Sequence, residues 1–461
     1  MKAIIYILTF FIPVVLCAQQ NWTKSSPLEY EWMNVGNAGF TTGKPFWPSL
    51  AFNSSGQPCL AFMDLENGSK VTAMKFDGTD WVTIGSAGFS EGPTFYISLA
   101  FGPSGEPYVA FLDSASSLKA SVMKFDNTNW VYVGSRGFSD INANYTNIAF
   151  SPSGEPYVAY GGNCSYNNTA VMKFDGTNWV YVGTPAFSAG SGWFISLAFS
   201  PSGEPYVAYQ DAGNSWKATV MKYDGSNWVN VGSPGFSAGQ AFHTCLAFNP
   251  SGEPYVSYQD EGNSYKASVM KFNGTNWVNV GNPGITEEKA LTPTLAVSPL
   301  GEPYLAFADF TNSYKATVMK FDGTNWEYVG PAEGFSLHEA QSTVITFSPS
   351  GIPHVAFIEE TDSYKANVMK YDSVLVGITE QEGTGLSPYP NPVTNKLTID
   401  LHNVYGSNKE IEVYNSIGEK ISETQSTEDK IILNVENYPA GIYIVKLRTG
   451  KSNYIGKFCK N

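Results

Sequence analysis

The chain has 461 residues, with 41 acidic side chains against 27 Lys and Arg and a net charge of −14. Its arginines are Arg136 and Arg448 alone, and so sparse a set of cations speaks against a nucleic-acid partner. Aromatic residues reach 15% while charged residues are also only 15%, and 44 Gly and 27 Pro punctuate the chain. This is the composition of strands and turns rather than helices, in a chain long enough for two or more domains.

Residues 1–18 read as a secretory signal peptide: Lys2, an apolar run through Leu16, then Cys17–Ala18, with cleavage expected after Ala18. Lipid attachment at Cys17 would want a small residue before it, and Leu16 stands there. No other apolar run approaches the roughly 20 residues of a membrane helix, so no membrane span is expected. Cys59, Cys164, Cys245 and Cys459 fall at different places in the pattern described next, which does not indicate a disulfide framework.

From residue 19 to 377 the chain repeats itself. The Trp of W-V-x-V-G recurs at Trp81, Trp130, Trp179, Trp228, Trp277 and Trp326, each 49 residues after the last, and Trp32 precedes the series by the same interval. Each unit reads as four short strands, for example Ile195–Phe199, Tyr206–Tyr209, Lys217–Tyr223 and Trp228–Gly232. Gly and Asn in the tight turns supply positive φ angles. One such sheet cannot bury both faces, so units must stack. Seven four-stranded units at this period resemble the blades of a β-propeller, and the predicted fold is all-β. The seventh copy is degraded to "SVLVG" (373–377) and lacks its Trp, whereas a lone strand with Trp32 stands at the N-terminus. We therefore expect a closed ring rather than an open solenoid, with the Trp32 strand finishing the last blade.

The turns "SPSGEP" and "FDGTNW" barely vary between units and read as hairpin chemistry; one carboxylate per turn is too few for calcium. The loops on the opposite face vary. An acidic column there (Asp64, Asp113, Asp211, Asp260, Asp309, Glu359) is matched six residues on by Lys70, Lys119, Lys217, Lys266, Lys315 and Lys365. Unit three lacks both, which suggests an ion pair across the hairpin. Aromatics on the same face (Trp216, Tyr265, Tyr314, Tyr364, Trp193 and Tyr96) suit a recognition surface, with Asn214 and Asn263 as polar partners. Stacking on sugar C–H faces makes a carbohydrate the expected ligand. A protein partner, with its epitope near Gly161–Cys164, and a glycan-degrading enzyme using Glu287 or His338, are the alternatives. The G-x-S-x-G matches at 88–92 and 235–239 lie in loops of a β repeat without the strand-to-helix elbow a nucleophile needs. No catalytic residue, metal site or cofactor is assigned.

After a linker, 378–385, the repeat gives way to a small all-β module, 386–461, with alternating strands such as Lys396–Leu401, Ile411–Tyr414 and Ile442–Leu447. The pieces Tyr389–Pro392, Val413–Gly418, Pro439–Lys446 and the terminal Lys460 resemble the C-terminal sorting domain of the type IX (Por) secretion system. The resemblance implies a β-sandwich export signal, the type IX machinery as partner, and a cargo released from or held at the outer surface of a Gram-negative bacterium.

Overall fold

A computed structural model describes residues 29–162, 169–360, 364–374, 385–386, 388–401, 409–415, 419–449 and 452–461. The expected signal peptide, nearly all of the linker, and Cys164 lie outside the described residues. Tyr30–Asp372 form one compact unit, and the described residues from Ser373 onward a second.

The first unit contains, among the described residues, seven four-stranded sheets. Blade 1 runs from an inner strand, Pro45–Phe52, through Pro58–Asp64 and Lys70–Phe76 to a short outer strand, Trp81–Thr83. Blades 2 to 6 repeat this order. In blade 7 the strands Ala340–Phe347, Pro353–Glu359 and Lys365–Val374 are completed by Glu29–Asn34 from the N-terminus. The ring therefore closes on the strand that carries Trp32, and the degraded copy after Tyr371 is not the fourth strand of that sheet. Six of the seven second strands, Pro58–Asp64 among them, are buried at every position, because a neighbouring blade covers each face. That is why they read as continuous apolar runs.

The invariant Trp latches each blade to the one before it. Trp81 Nε1 donates to Val35 O at 2.7 Å, Trp130 to Ile84 O at 2.8 Å, and the series continues to Trp326 on Val280 O at 2.7 Å. Trp32 closes the circuit on Val329 O at 2.7 Å. Six of these seven rings stack on a Phe from the preceding loop, as Trp32 does on Phe335 at 4.2 Å. The glycine that ends each outer strand is required twice over. Gly330 has φ +91°, and a Cβ there would sit 2.7 Å from Trp32 Cδ1.

A second circuit links the inner strands. The amides of Leu99, Ile148, Leu197, Leu246, Leu295 and Ile345 donate to Ser49, Ser98, Asn147, Ser196, Cys245 and Thr294 of the blade before. At the junction of blades 7 and 1 this column carries Val344, whose side chain has no acceptor. The same junction replaces another repeated contact. Tyr108, Tyr157, Tyr206 and Tyr304 each meet a Phe of the next blade edge-on, whereas His354 meets Phe52 at 4.8 Å. Burial pushes the His354 imidazole down to about 4, with the Ile352 carbonyl opposing the shift. A depressed His binds fewer protons than the unfolded chain between about pH 6.5 and 4, so ring stability should fall as pH drops through that window. The loss is on the order of 3 kcal/mol for His354. Thermal melts of His354→Tyr, which restores the repeated pair, should show a shallower decline over this range; an unchanged decline refutes the assignment.

The acidic column corrects the expected ion pairs. Asp211 faces Lys217, and Asp260 faces Lys266, across their hairpins, but among the described residues no Asp of the column is bonded to that Lys. The carboxylates are buried, Asp113 completely, and a desolvated carboxylate is best satisfied by fixed donors. Asp260 accepts from Gly262 N, Asn263 Nδ2 and Ser268 Oγ at 3.0, 2.7 and 2.9 Å. It caps a 3₁₀ turn, Glu261–Asn263, of a kind the sequence pattern did not predict. Asp113 is additionally bound by the Arg136 guanidinium at 2.8 Å.

The second unit has a five-stranded sheet, ordered Gly385–Leu386, Ser452–Lys460, Gly441–Thr449, Lys409–Asn415, Lys420–Ser426, and a two-stranded sheet of Lys396–Asp400 with Lys430–Asn434. Leu397, Ile399 and Leu433 from the small sheet share one core with Ile411, Val445, Leu447 and Phe458 from the large one. This is a β-sandwich. Cys59, Cys245 and Cys459 are free thiols.

Candidate functional site

In each blade the loop between second and third strands, and the loop into the inner strand, open on the variable face. Two tiers of aromatic side chains lie there. The outer tier is built by the capped hairpin. In blade 4, Asp211 holds the turn Ala212–Asn214, and the chain then passes through two left-handed residues, Ser215 (φ +59°) and Trp216 (φ +62°). Trp216 N returns to Asp211 O at 2.7 Å. Blades 5 and 6 repeat the pair at Ser264–Tyr265 and Ser313–Tyr314, and Tyr364 is left-handed in blade 7. A bulky residue at positive φ costs of order 1–2 kcal/mol, so these positions carry strain where Gly or Asn would not.

Trp216 meets Trp193 edge-on at 5.0 Å, Tyr265 lies 6.0 Å from Phe242, and Tyr314 lies 5.2 Å from Phe310. Tyr265 is 36% exposed. Lys289 Nζ sits 5.7 Å from the Tyr265 ring, and Lys44 Nζ only 3.3 Å from that of Tyr364. The Tyr364 hydroxyl donates to Glu360, which raises the phenol above its ordinary pKa.

Tyr96 belongs elsewhere. Every inner strand breaks register near its start, as between Phe95 and Ser98. The residue inside each break has positive φ: Trp47, Tyr96, Tyr145, Phe194, His243, Thr292 and Ser342. The first five form a continuous arc, with ring separations of 5.6, 4.5, 5.0 and 4.4 Å in order. Burial lowers His243 to about 4, leaving it neutral near pH 7, and raises the Tyr96 phenol. Because inner strands surround the ring axis, this inner tier is a collar around it. Only Tyr96 of the collar stood in the predicted set. The 49-residue spacing of Trp47, Tyr96, Tyr145, Phe194 and His243 was the available signal, but it does not show that neighbours touch.

Asn214 and Asn263 were predicted as ligand partners. Their amides instead donate to Asp211 and Asp260, each at 2.7 Å. A side-chain NH₂ bound to a buried carboxylate is committed to its own hairpin. Near unit three, residues 163–168 lie outside the described set. Arg136 is held by Asp113 and Glu91, and Asp140 accepts from the Tyr181 hydroxyl at 2.8 Å.

The ring and the module define an all-β propeller protein that carries an export sandwich. Residues 387–461 match the family of secretion system C-terminal sorting domains. The chain is exported by the type IX system to the cell surface or beyond it. Among the described residues no helix is long and apolar enough to cross a membrane.

No curated protein matches the chain. Among solved structures it is similar to PorZ, a surface component of the type IX secretion system of Porphyromonas gingivalis, at 12% identity and TM-score 0.46, over 90% of this chain and 59% of that one. The chain thus spans less than two thirds of PorZ. A Dyadobacter fermentans protein of unknown function aligns at 13% identity and TM-score 0.43, over 75% of this chain and 98% of its own. The Aleuria aurantia lectin, solved with Fucα1-6GlcNAc, aligns at 16% identity and TM-score 0.41, over 65% of this chain and 99% of its own.

Proposed function

We propose that the ring is a non-catalytic binding protein that takes carbohydrate on its variable face, through the outer aromatic tier. The observation that carries this reading is the strain. Trp216, Tyr265, Tyr314 and Tyr364 occupy left-handed positions that suit Gly or Asn, and a large aromatic there serves the surface rather than the backbone. Trp193 backs Trp216, and Tyr96 belongs to the adjoining collar. Aromatic faces stack on the C–H faces of pyranose rings, and similar units side by side allow several weak contacts to act together. A protein ligand on this face is the rival.

The test is a glycan array on the purified ring beside Trp216→Ala and Tyr265→Ala. One or more glycans should bind, each single variant should bind about tenfold more weakly, and melting points should stay near that of the parent, because Ala keeps the Cβ and with it the left-handed strain. Absence of glycan binding, or binding indifferent to both substitutions, refutes the carbohydrate reading.

A further inference from the structure

A separate pocket lies where the ring closes. In blades 1 to 6 the outer strand follows the third strand through a tight turn, and the residue two before the Trp is Thr or Ser. Thr324 is typical, its backbone N–H tied to the turn carboxylate of Asp322 at 2.7 Å. Blade 7 takes its outer strand from the N-terminus, so this position has no such turn to close. It is Tyr30, 54% exposed. With Tyr304, Tyr328 and Tyr371 it walls a pocket of 530 Å³ between blades 6 and 7, whose charged groups are Lys320 and Asp372. That volume is within the range of small-molecule sites.

The charges are not balanced as they are in blades 3 to 5. Lys173, Lys222 and Lys271, the equivalents of Lys320 in blades 3 to 5, pair with a Glu at 2.7, 2.7 and 3.4 Å and lie 5.7 to 5.9 Å from a Tyr ring. Among the described residues Lys320 makes neither contact. Glu302, its counterpart, accepts from Ser298. Asp372 is neutralised by Lys370 at 2.7 Å. The pocket therefore offers one cation held in no ion pair among the described residues, with the turn carboxylate of Asp322 as its electrostatic neighbour, beside four phenols. Burial raises Tyr304 to about 12 and raises Tyr371 as well, so both hydroxyls stay protonated and can donate.

We propose that this seam pocket binds one acidic sugar residue, a uronic acid, with its ring against the tyrosine faces and its carboxylate on Lys320. Flat amphipathic rings suit the C–H faces and hydroxyls of a pyranose, and the unpaired ammonium selects the charged substituent over a neutral hexose. The site is distinct from the variable face, so it stands or falls independently of the function proposed above.

The experiment is calorimetric titration of the full chain with a uronic-acid tetrasaccharide and with a neutral hexose tetrasaccharide. The acidic sugar should bind at least about tenfold more tightly than the neutral one, and more weakly as salt rises. Lys320→Met should remove this preference, and Tyr30→Ala should weaken binding about tenfold. Both sites are accessible, so melting points should stay near that of the parent. Trp216→Ala and Tyr265→Ala should leave the acidic sugar unaffected. Equal affinity for the two sugars, binding indifferent to Lys320→Met and Tyr30→Ala, loss of binding in the Trp216→Ala or Tyr265→Ala variant, or no binding of the uronate would each overturn the proposal.

Discussion

Replacing Trp32 by Ala is expected to lower the stability of the ring by about 3–5 kcal/mol, the range for removing a buried Trp. Trp32 is 8% exposed, stacks on Phe335, and supplies the Trp latch of the series that joins the two ends of the repeat in sequence. Trp32→Phe keeps the stacking and loses the bond to Val329 O, so its cost should be only about 1 kcal/mol. The unfolding midpoint in urea, read for both variants, checks the pair. Trp32→Ala should also lower the slope, because an unlatched N-terminal strand exposes the edge of the Lys365–Val374 strand before the rest unfolds. Two equal and small losses would mean that closure does not depend on this side chain.

Deleting residues 387–461 is expected to abolish passage across the outer membrane while leaving the ring folded. The separation follows from the cores. The clusters of the ring draw on residues between Trp32 and Tyr371, and the sandwich core begins at Leu386, so each unit has a core of its own. Cell fractionation should find the truncated chain in the periplasm, with the thermal transition of the ring intact. Truncated protein at the surface, or a periplasmic product that no longer melts cooperatively, would contradict this.

Much of the architecture was legible because repetition multiplies weak signals. A single W-V-x-V-G is an ordinary strand; seven such Trp-led strands, four of them exact copies and three close variants, at constant spacing demand that one unit stack on the next. The missing Trp of the last copy, set against a spare Trp32 at the start, points to the ring closure from residue order alone. The sorting module was equally readable, since its motifs fall within about 75 residues at the C-terminus. The Asp–Lys columns misled, because register alone says which residues face each other and nothing about burial. Asp260 lies under its own turn, where backbone N–H groups reach it before any flexible lysine can.

By itself, then, the sequence determined the number of blades, the closing strand and the export module, all properties of order along the chain and of residue type. Only the tertiary structure decided which aromatics belong together. Tyr96 and Trp193 stand one repeat position apart on the inner strand, yet the left-handed break there sends Tyr96 into an arc with Trp47 and Tyr145, while Trp193 meets Trp216 at 5.0 Å and reaches Tyr145 only at 6.1 Å. The seam pocket is likewise invisible in the sequence. Tyr30 and Tyr371 are 341 positions apart in the numbering and have rings 5.8 Å apart in space, a proximity that exists only because the ring closes.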